Sequence, residues 1–304
     1  MSGPGVVPAR GLDARASGLM LVLCLAWGLT QIATKLALAG IPPVLQAGLR
    51  SAVAGALLLA WCAARRVRMT APRAALLPGL LIGVIFAVEF VAIFEGLTRT
   101  TAARAVVFLY VAPFVVAVGT HLFVPGDRLN RDTLLGLLAA FAGLAIAFGD
   151  SLRLPSAREF EGDMLCLLGA VLWGATTVLI KATRLAVTRF ETVLMFQLGV
   201  SALLLVPASA LMGESWRLEL TAPVLLGFLY NAVGVAFVSY TVWFWLVMHY
   251  PASRLAAFTF LAPVFGVVAG ALALGDPLSP GLIAALGLIA FGIWLVNRPR
   301  RAAA

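Results

Sequence analysis

Long apolar runs recur along the chain with few interruptions, and they constrain the fold more than any other feature. A helix of about 20 apolar residues spans the hydrocarbon core of a bilayer, whereas barrel strands alternate apolar and polar residues over about ten positions. The chain is 62% apolar and only 12% charged, so it has too few polar residues to cover a water-soluble fold. The sequence therefore predicts an all-α membrane protein.

The apolar runs predict ten transmembrane helices, most of them joined by short loops that make neighbouring helices antiparallel. The predicted spans are 17–38, 43–64, 74–97, 102–124, 130–149, 163–184, 189–212, 222–247, 252–274 and 279–297. No loop is long enough to hold a soluble domain. A functional site is therefore expected inside the helix bundle or at its mouths.

The net charge of +9 reflects membrane orientation rather than nucleic-acid binding. Cytoplasmic loops of membrane proteins carry an excess of Lys and Arg, and here most basic residues fall on one side of the predicted topology. The loop 65–73 contributes most strongly to this bias. We therefore predict a multi-pass protein of the inner membrane with both termini in the cytoplasm, and no nucleic-acid partner.

The two halves of the sequence resemble each other. Trp27-Gly28 recurs as Trp173-Gly174, and Ala112-Pro113 recurs as Ala262-Pro263. Each half has five predicted helices, and because five is odd the second half enters the membrane inverted, as in many secondary transporters. The predicted organisation is a cytoplasmic tail (1–16), a first five-helix repeat (17–149), a connecting loop (150–162), a second five-helix repeat (163–297) and a cytoplasmic basic tail (298–304).

Four motifs occur in the same order in both halves: Trp-Gly in the first helix, Ala-Pro in the fourth, Gly-Asp after it, and a Gly-rich fifth helix. In this order they resemble the EamA-type transporters of the drug/metabolite transporter superfamily, over nearly the whole chain. Asp127 and Asp276 stand where that family usually has Glu. The resemblance implies an inner-membrane exporter of amino acids or other small metabolites, and the chain is generally similar to the branch that exports aromatic amino acids.

Two prolines and two charges are candidates for the transport mechanism. Pro113 and Pro263 occupy equivalent positions inside helices four and nine, where a missing backbone donor kinks or breaks a helix; they are predicted hinges, or else ordinary kinks. Glu89 and Arg50 are the deepest charges, and burial in a bilayer makes such charges costly. They lie at similar depths and are predicted to be able to pair, which would make them a structural ion pair between helices two and three. The alternative is that Glu89 is a proton-coupling or substrate-amine site, and the pairing competes with the proton role because a paired glutamate holds a proton poorly.

Further charges near helix ends are candidate gates. Lys35 and Lys181 lie near the ends of helices one and six, where they either face the pore mouth or extend to the headgroups. Glu95 and Arg104 lie near the outer mouth and could pair across the turn between helices three and four.

Polar and aromatic side chains on helices one, six and eight predict a substrate cavity between the repeats, although the same groups could serve only helix packing. Aromatic walls bind planar groups and attract ammonium ions. On helix eight, α-helical spacing places Tyr230, Phe237, Thr241 and Trp245 on one stripe. The predicted cavity residues are Trp27, Thr30, Gln31, Glu89, Tyr110, Trp173, Thr177, Tyr230, Asn231, Phe237 and Thr241.

Several other functions were considered. An intramembrane protease is disfavoured because Ser201 lies in a packing segment, and the two histidines, His121 and His249, lie near helix ends. A channel would need a ring of charges or carbonyls. A scaffold without transport finds no specific support. No enzyme activity, cofactor or metal is expected, the partners are a small-molecule substrate and the lipid bilayer, and monomer and homodimer both remain open. The main alternative is a proton-coupled exporter of drugs or organic cations that depends on Glu89.

Overall fold

A computed structural model describes residues 12–149, 154–274 and 280–298. Within these ranges the chain is helical and contains no β-strand, so the all-α prediction is confirmed. The helices of the first half are α1 (Ala14–Leu38), α2 (Pro43–Ala64), α3 (Arg73–Leu97), α4 (Ala102–Leu109), α5 (Ala112–Phe123) and α6 (Arg131–Ala147).

The second half repeats this order of long and interrupted helices. Its elements are α7 (Ala157–Ala182), a 3₁₀ turn (Arg184–Val187), α8 (Phe190–Leu211), α9 (Ala222–Leu229), a π-helical segment (Tyr230–Ser239), α10 (Tyr240–His249), α11 (Ala252–Phe258), α12 (Leu261–Leu274) and α13 (Pro280–Asn297). Because α9, the π-helical segment and α10 follow one another directly, they form one continuous rod.

Eight helical segments among the described residues are long and apolar enough to cross a membrane. The helix α6 has only 17 residues, and the apolar part of α13 spans 283–297. The count of ten crossings is therefore not confirmed, although a helix lies at each predicted span. Large apolar side chains such as Leu77 and Leu203, each 76% exposed, cover the outside of the bundle, as a lipid environment requires.

The helix α7 begins at Ala157, earlier than the predicted residue 163. Ser156 and Glu159 form a reciprocal capping box, in which the Ser156 hydroxyl accepts from the Glu159 amide and the Glu159 carboxylate accepts from the Ser156 amide. This arrangement satisfies two backbone donors at the helix start. The predicted connecting loop 150–162 is thus partly helical, and residues 150–153 lie outside the described part of the chain.

The two prolines coincide with interruptions of the predicted fourth and ninth helices. The helix α4 ends at Leu109, four residues before Pro113, and α11 ends at Phe258, next to Thr259, which lies four residues before Pro263. A proline cannot donate to the carbonyl four residues earlier and also clashes with it. The structure therefore has a broken helix at both positions, whereas movement about these points stays a prediction.

Helices of the two halves pack against each other in matching pairs. The helix α2 packs on α8, α6 packs on α13, α3 packs on α7, and α1 packs on α9 and the π-helical segment. The pair α6–α13 approaches most closely at Gly136 and Gly292: a Cβ on Gly136 would lie 2.6 Å from the Gly292 carbonyl oxygen, and one on Gly292 would lie 2.4 Å from that of Gly136. Glycine is needed here because no side chain fits between the backbones.

Candidate functional site

A cavity of about 230 Å³ lies between helices of the two sequence halves. Its wall is formed by α1, α2, α3 and α4 from the first half and by α7, α8, the π-helical segment and α10 from the second. Aromatic rings make up much of the wall, and one arginine and one glutamate face it together with several threonines. This cavity is the candidate substrate site.

Six of the predicted cavity residues line the cavity wall. They are Trp27, Thr30, Glu89, Tyr110, Trp173 and Thr177. Two of the aromatic residues are held in place by neighbours: the Trp27 indole donates to the Ser239 hydroxyl at 2.9 Å, and the Tyr110 ring lies perpendicular to Trp173 at 6.3 Å. Contact between these residues and a substrate stays a prediction.

The predicted helix-eight stripe does not line the cavity. Tyr230 donates from its hydroxyl to the Ala26 carbonyl at 2.8 Å, and Asn231 donates to the Thr34 hydroxyl at 3.3 Å, so both residues bind helix α1. Phe237 packs against the apolar core, and Thr241 donates to the Phe237 carbonyl at 2.6 Å.

The π-helical segment explains this error. An i→i+5 hydrogen bond encloses one more residue than the i→i+4 bond of an α-helix. Residues that α-helical spacing places on the same face as Tyr230 are therefore rotated to a different face after the π-helical segment. Tyr240 and Trp243 occupy the cavity wall instead. π-Helical turns are frequent at functional sites, and this one lies directly beside the cavity.

Several residues of the cavity wall were not among the predicted ones. Phe86 and Phe90 lie three residues before and one residue after Glu89, on the same face of α3, and all three line the cavity. The helical spacing around Glu89 could have identified them. Gln197 on α8 and Thr176 on α7 also line the wall, and the Gln197 Oε1 and Thr176 Oγ1 atoms are buried without a hydrogen-bond partner.

Arg50 lies in an aromatic cage rather than in an ion pair. Its guanidinium carbon lies 4.1 Å from the centroid of the Phe90 ring and 6.0 Å from those of Phe86 and Tyr240. Cation–π attraction strengthens when the cation is desolvated, and Arg50 is only 6% exposed. Its Nε and Nη2 atoms have no hydrogen-bond partner.

Glu89 is 6% exposed and lines the same cavity. No salt bridge joins it to Arg50, or to any other cation among the described residues. The predicted Arg50–Glu89 pair is therefore wrong for this conformation, because the guanidinium lies against Phe90, the next residue on α3. The similar depth of the two residues in the sequence prediction agrees with their place in one cavity, but depth alone does not determine which side chains are in contact.

The predicted contact between Glu95 and Arg104 is also wrong. Glu95 instead pairs with Arg99, which lies in the turn just after α3, with 2.5 Å between its Oε2 and the Arg99 Nη1. Arg104 is 5% exposed and forms a salt bridge with Asp163 on α7. Arg104 therefore joins the two halves of the chain rather than the two ends of one turn.

The remaining candidate gate residues are only partly described. The side chains of Gln31 and Lys35 lie outside the described part of the structure, as does Asp276. Lys181 is half-buried near the end of α7. Asp127 lies near enough to affect Lys181 electrostatically, but no salt bridge between them is formed among the described residues.

The two helix breaks meet beside the cavity. Tyr110 lies in the break between α4 and α5, and Phe260 lies in the break between α11 and α12. Their ring centroids are 5.7 Å apart. Because Tyr110 also lines the cavity, a change at either break would alter the cavity wall.

The structure gives no support to the protease alternative. Ser201 is fully buried, and its hydroxyl donates to the Leu198 carbonyl at 3.1 Å. A serine nucleophile needs a neighbouring base, and His249 instead lies 2.7 Å from the Trp245 carbonyl near the end of α10. Among the described residues, His, Cys, Asp and Glu form no group of three that could hold a metal ion.

Comparison with known proteins identifies the fold and the family. The sequence profile of the EamA-like transporter family matches the chain twice, over residues 15–149 and 160–298. This chain belongs to that family. A crystal structure with 23% sequence identity superposes with a TM-score of 0.80 over 93% of this chain and 96% of the other, which supports the fold.

Relatives of this EamA-like transporter carry transporter names. The chain is 30% identical to the uncharacterized transporter YvbV of Bacillus subtilis, over 95% of this chain and 93% of the relative. It is 28% identical to a probable amino-acid metabolite efflux pump of Salmonella typhimurium, over 91% and 93%. It is also 28% identical to the uncharacterized inner membrane transporter YedA of Escherichia coli, over 92% and 90%. The protein is therefore a multi-pass membrane transporter.

Two polar contacts join the repeats of this EamA-like transporter at opposite ends of the bundle. At the α3–α4 end, Asp163 binds Arg104 and accepts from the Thr100 hydroxyl at 2.7 Å. At the α10–α11 end, Asp127 accepts from the Ser253 amide at 3.2 Å and from the Ser253 hydroxyl. All five side chains are buried, so both contacts are shielded from bulk water.

Proposed function

We propose that this protein is a secondary transporter that exports small metabolites, and amino acids in particular, across the inner membrane. Aromatic amino acids are proposed among its substrates. The mechanism is alternating access, in which the cavity between the repeats is exposed first to one side of the membrane and then to the other. This is the transport class that inverted repeats with a site between them most often serve.

The cavity carries this proposal. It lies between helices of both matched repeats, and the two broken helices meet beside it, where the Phe260 ring packs against the wall residue Tyr110. Breaks at the interface of two repeats allow the ends of the bundle to move separately. The volume of about 230 Å³ is below the range of about 300–1,000 Å³ typical of drug-sized pockets, which favours small metabolites.

The proposed topology has ten crossings arranged as two inverted five-helix repeats, 17–149 and 163–297, with both termini in the cytoplasm. The α10–α11 end is then cytoplasmic and the α3–α4 end lies on the outer side. The exposed basic residues Arg65, Arg66 and Arg68, between α2 and α3, agree with this orientation. The relative named as a probable amino-acid metabolite efflux pump supports amino acids as the substrate class and export as the direction.

Uptake of labelled phenylalanine and threonine into proteoliposomes tests the proposal. We expect saturable uptake without an imposed pH gradient, faster for phenylalanine because aromatic rings line the cavity. Replacing Trp173 by Ala should lower phenylalanine uptake roughly tenfold, since a packed aromatic pair and its buried area are lost. Failure to transport any amino acid would refute the proposed substrate class.

Trp294→Ala is the matched control for Trp173→Ala. Trp294 is also a tryptophan on a helix of the second repeat, but it is 56% exposed on the outside of the bundle. Its replacement should leave uptake unchanged. If both variants lost uptake equally, the effect would come from membrane insertion and not from the cavity.

A proton-coupled exporter of organic cations is the second candidate, and Glu89 is the observation that favours it. Glu89 faces the cavity without a cationic partner among the described residues, so it could bind a proton or a cation in turn. This function predicts gradient-driven movement of a labelled organic cation that Glu89→Gln abolishes. The absence of such movement, together with phenylalanine uptake, would exclude it.

A further inference from the structure

We infer that the cavity binds zwitterions, with Arg50 holding a carboxylate and Glu89 holding an ammonium group. This inference rests on the proposed function and assigns the residues that select the substrate. The ligand class is a free α-amino acid whose side chain is aromatic or large and apolar. Compounds that lack either charged group are expected to bind weakly.

The first step is that Arg50 and Glu89 are buried in one cavity without a salt bridge between them. Arg50 and Glu89 are each only 6% exposed, and neither forms a salt bridge within the described residues. A buried charge is costly unless it is paired. Two opposite charges that share a cavity but remain apart could both be satisfied by a ligand that carries the two complementary charges.

The second step concerns Phe90, which prevents the two side chains from satisfying each other. Its ring lies 4.1 Å from the Arg50 guanidinium carbon, and on α3 it directly follows Glu89. The rings of Phe86, Phe90 and Tyr240 surround the cation, and the faces of the two phenylalanine rings accept no conventional hydrogen bonds. The guanidinium nitrogens Nε and Nη2 therefore remain without acceptors, and a carboxylate is the group that matches an arginine fork in two hydrogen bonds.

The third step concerns the rest of the wall. The rings of Trp27 and Trp243 meet edge to face at 5.4 Å, and those of Tyr110 and Trp173 meet at 6.3 Å. All four residues line the cavity. These rings offer an apolar, shape-selective surface to a flat side chain, while the two charges determine the position of its backbone groups.

Competition for labelled phenylalanine on the purified full-length protein in lipid nanodiscs tests the inference. The competitors are phenylalanine, phenethylamine, which lacks the carboxylate, and 3-phenylpropionate, which lacks the ammonium group. On the wild-type protein, each of the two truncated compounds should need a concentration roughly tenfold or more above that of phenylalanine to displace the label. Each of them lacks one charge-assisted interaction.

The two charge variants should give a crossed pattern. Arg50→Gln should weaken the binding of phenylalanine roughly tenfold or more and leave the binding of phenethylamine unchanged. Glu89→Gln should weaken the binding of phenylalanine and leave the binding of 3-phenylpropionate unchanged. If each variant weakened the binding of all three compounds equally, Arg50 and Glu89 would serve only the fold. That result would overturn the inference without contradicting the proposed transport of amino acids. If the wild-type protein neither bound nor transported phenylalanine or threonine, the proposed function would fail as well.

Arg50→Lys and Glu89→Asp keep the inference testable if the glutamine variants do not fold. Both retain the charge, so the protein should keep its unfolding midpoint. Arg50→Lys cannot form the bidentate hydrogen bond to a carboxylate, so it should weaken the binding of phenylalanine and 3-phenylpropionate but not that of phenethylamine. An equal loss for all three ligands would again contradict the assignment.

Discussion

The two ends of the bundle are closed by contacts of different chemistry, although they belong to two related repeats. At the α3–α4 end, Arg104 donates from Nε to both carboxylate oxygens of Asp163, at 3.2 and 3.1 Å, and also from Nη2. At the α10–α11 end, Asp127 is bound by the amide and hydroxyl of Ser253, which are neutral donors. Among the hydrogen bonds of the described residues, one end thus has a buried ion pair, and the other has a buried carboxylate bound by uncharged donors.

The repeat itself shows why the ends differ. At the offset that relates Trp27 to Trp173, Asp163 corresponds to Ser17, so the first repeat has no carboxylate at the position that Asp163 occupies in the second. Conversely, Ser253 corresponds to Ala103, which has no hydroxyl. Breaking one partner of a buried ion pair typically costs about 3–5 kcal/mol, whereas a single hydrogen bond to a charged group contributes about 1.5–3 kcal/mol. We therefore expect the α10–α11 end to open more readily. Related backbones with different polar residues can thus give a carrier two end states of unequal energy.

Removing the charge of Asp163 should have the largest effect on this comparison. In Asp163→Asn, the buried Arg104 guanidinium loses its counter-charge, which typically costs about 3–5 kcal/mol. The midpoint of thermal unfolding in detergent should fall markedly. A double variant, Arg104→Met with Asp163→Leu, should recover much of the loss because no buried charge remains. An unchanged midpoint in Asp163→Asn would contradict the importance of this pair.

Ser253→Ala should have a smaller effect, at the opposite end. It removes the hydroxyl donor to Asp127 but keeps the backbone amide donor, so the expected loss is about 1–3 kcal/mol for one hydrogen bond to a charged group. The thermal midpoint should fall less than in Asp163→Asn, and a cysteine label near the α10–α11 end should become more accessible. Ser253→Thr retains the hydroxyl and is the matched control. A larger loss than in Asp163→Asn would reverse the ranking of the two ends.

Glu214 forms a further contact between the repeats on the side of the α3–α4 end. Its carboxylate accepts from the amides of Val44 and Leu45, both at 2.8 Å, at the start of α2. A negative charge at a helix N-terminus typically contributes about 0.3–1 kcal/mol, so Glu214→Gln should lower the midpoint only slightly. The nearby Glu219→Gln, which changes an exposed side chain, should do nothing. If Glu214→Gln lowered the free energy of unfolding by several kcal/mol, the carboxylate would stabilise more of the structure than the start of α2.

The sequence allowed the broken helices and three of the nine aromatic residues of the cavity wall, Trp27, Tyr110 and Trp173, to be predicted. A proline interrupts a helix wherever it stands in the interior, and Trp27 and Trp173 are marked by the repeat. The start of α7 was also readable, since Ser156 and Glu159 have capping-box spacing. The predicted connecting loop extended to residue 162, but the cap determines where the helix begins.

Two features could not be predicted from the sequence. The π-helical turns after Tyr230 arise from a one-residue shift in hydrogen bonding that leaves no mark in composition, so the face of Thr241 was assigned incorrectly. The partner of Arg50 depends on how α2 and α3 are rotated about their axes. When nearly every face of a helix is apolar, the hydrophobic pattern does not determine that rotation.

The smallest expected effect lies at the surface of the α10–α11 end, where Asp13 begins α1. The Ala16 amide donates to its carboxylate at 2.8 Å and the Tyr250 hydroxyl donates at 2.9 Å, and these bonds lower the pKa of Asp13 below its usual value. A carboxylate with a lowered pKa stabilises the folded state above its unfolded pKa of about 3.9, and this contribution is lost as pH falls through the folded pKa. In Asp13→Asn the thermal midpoint should therefore drop slightly at neutral pH, and the difference from the wild-type protein should vanish under acid conditions.

Tyr250→Phe should retain most of the pH dependence, because the Ala16 amide is the stronger cause. If Asp13→Asn lowered the midpoint as much as Ser253→Ala, this exposed contact would belong with the buried ones in closing the α10–α11 end.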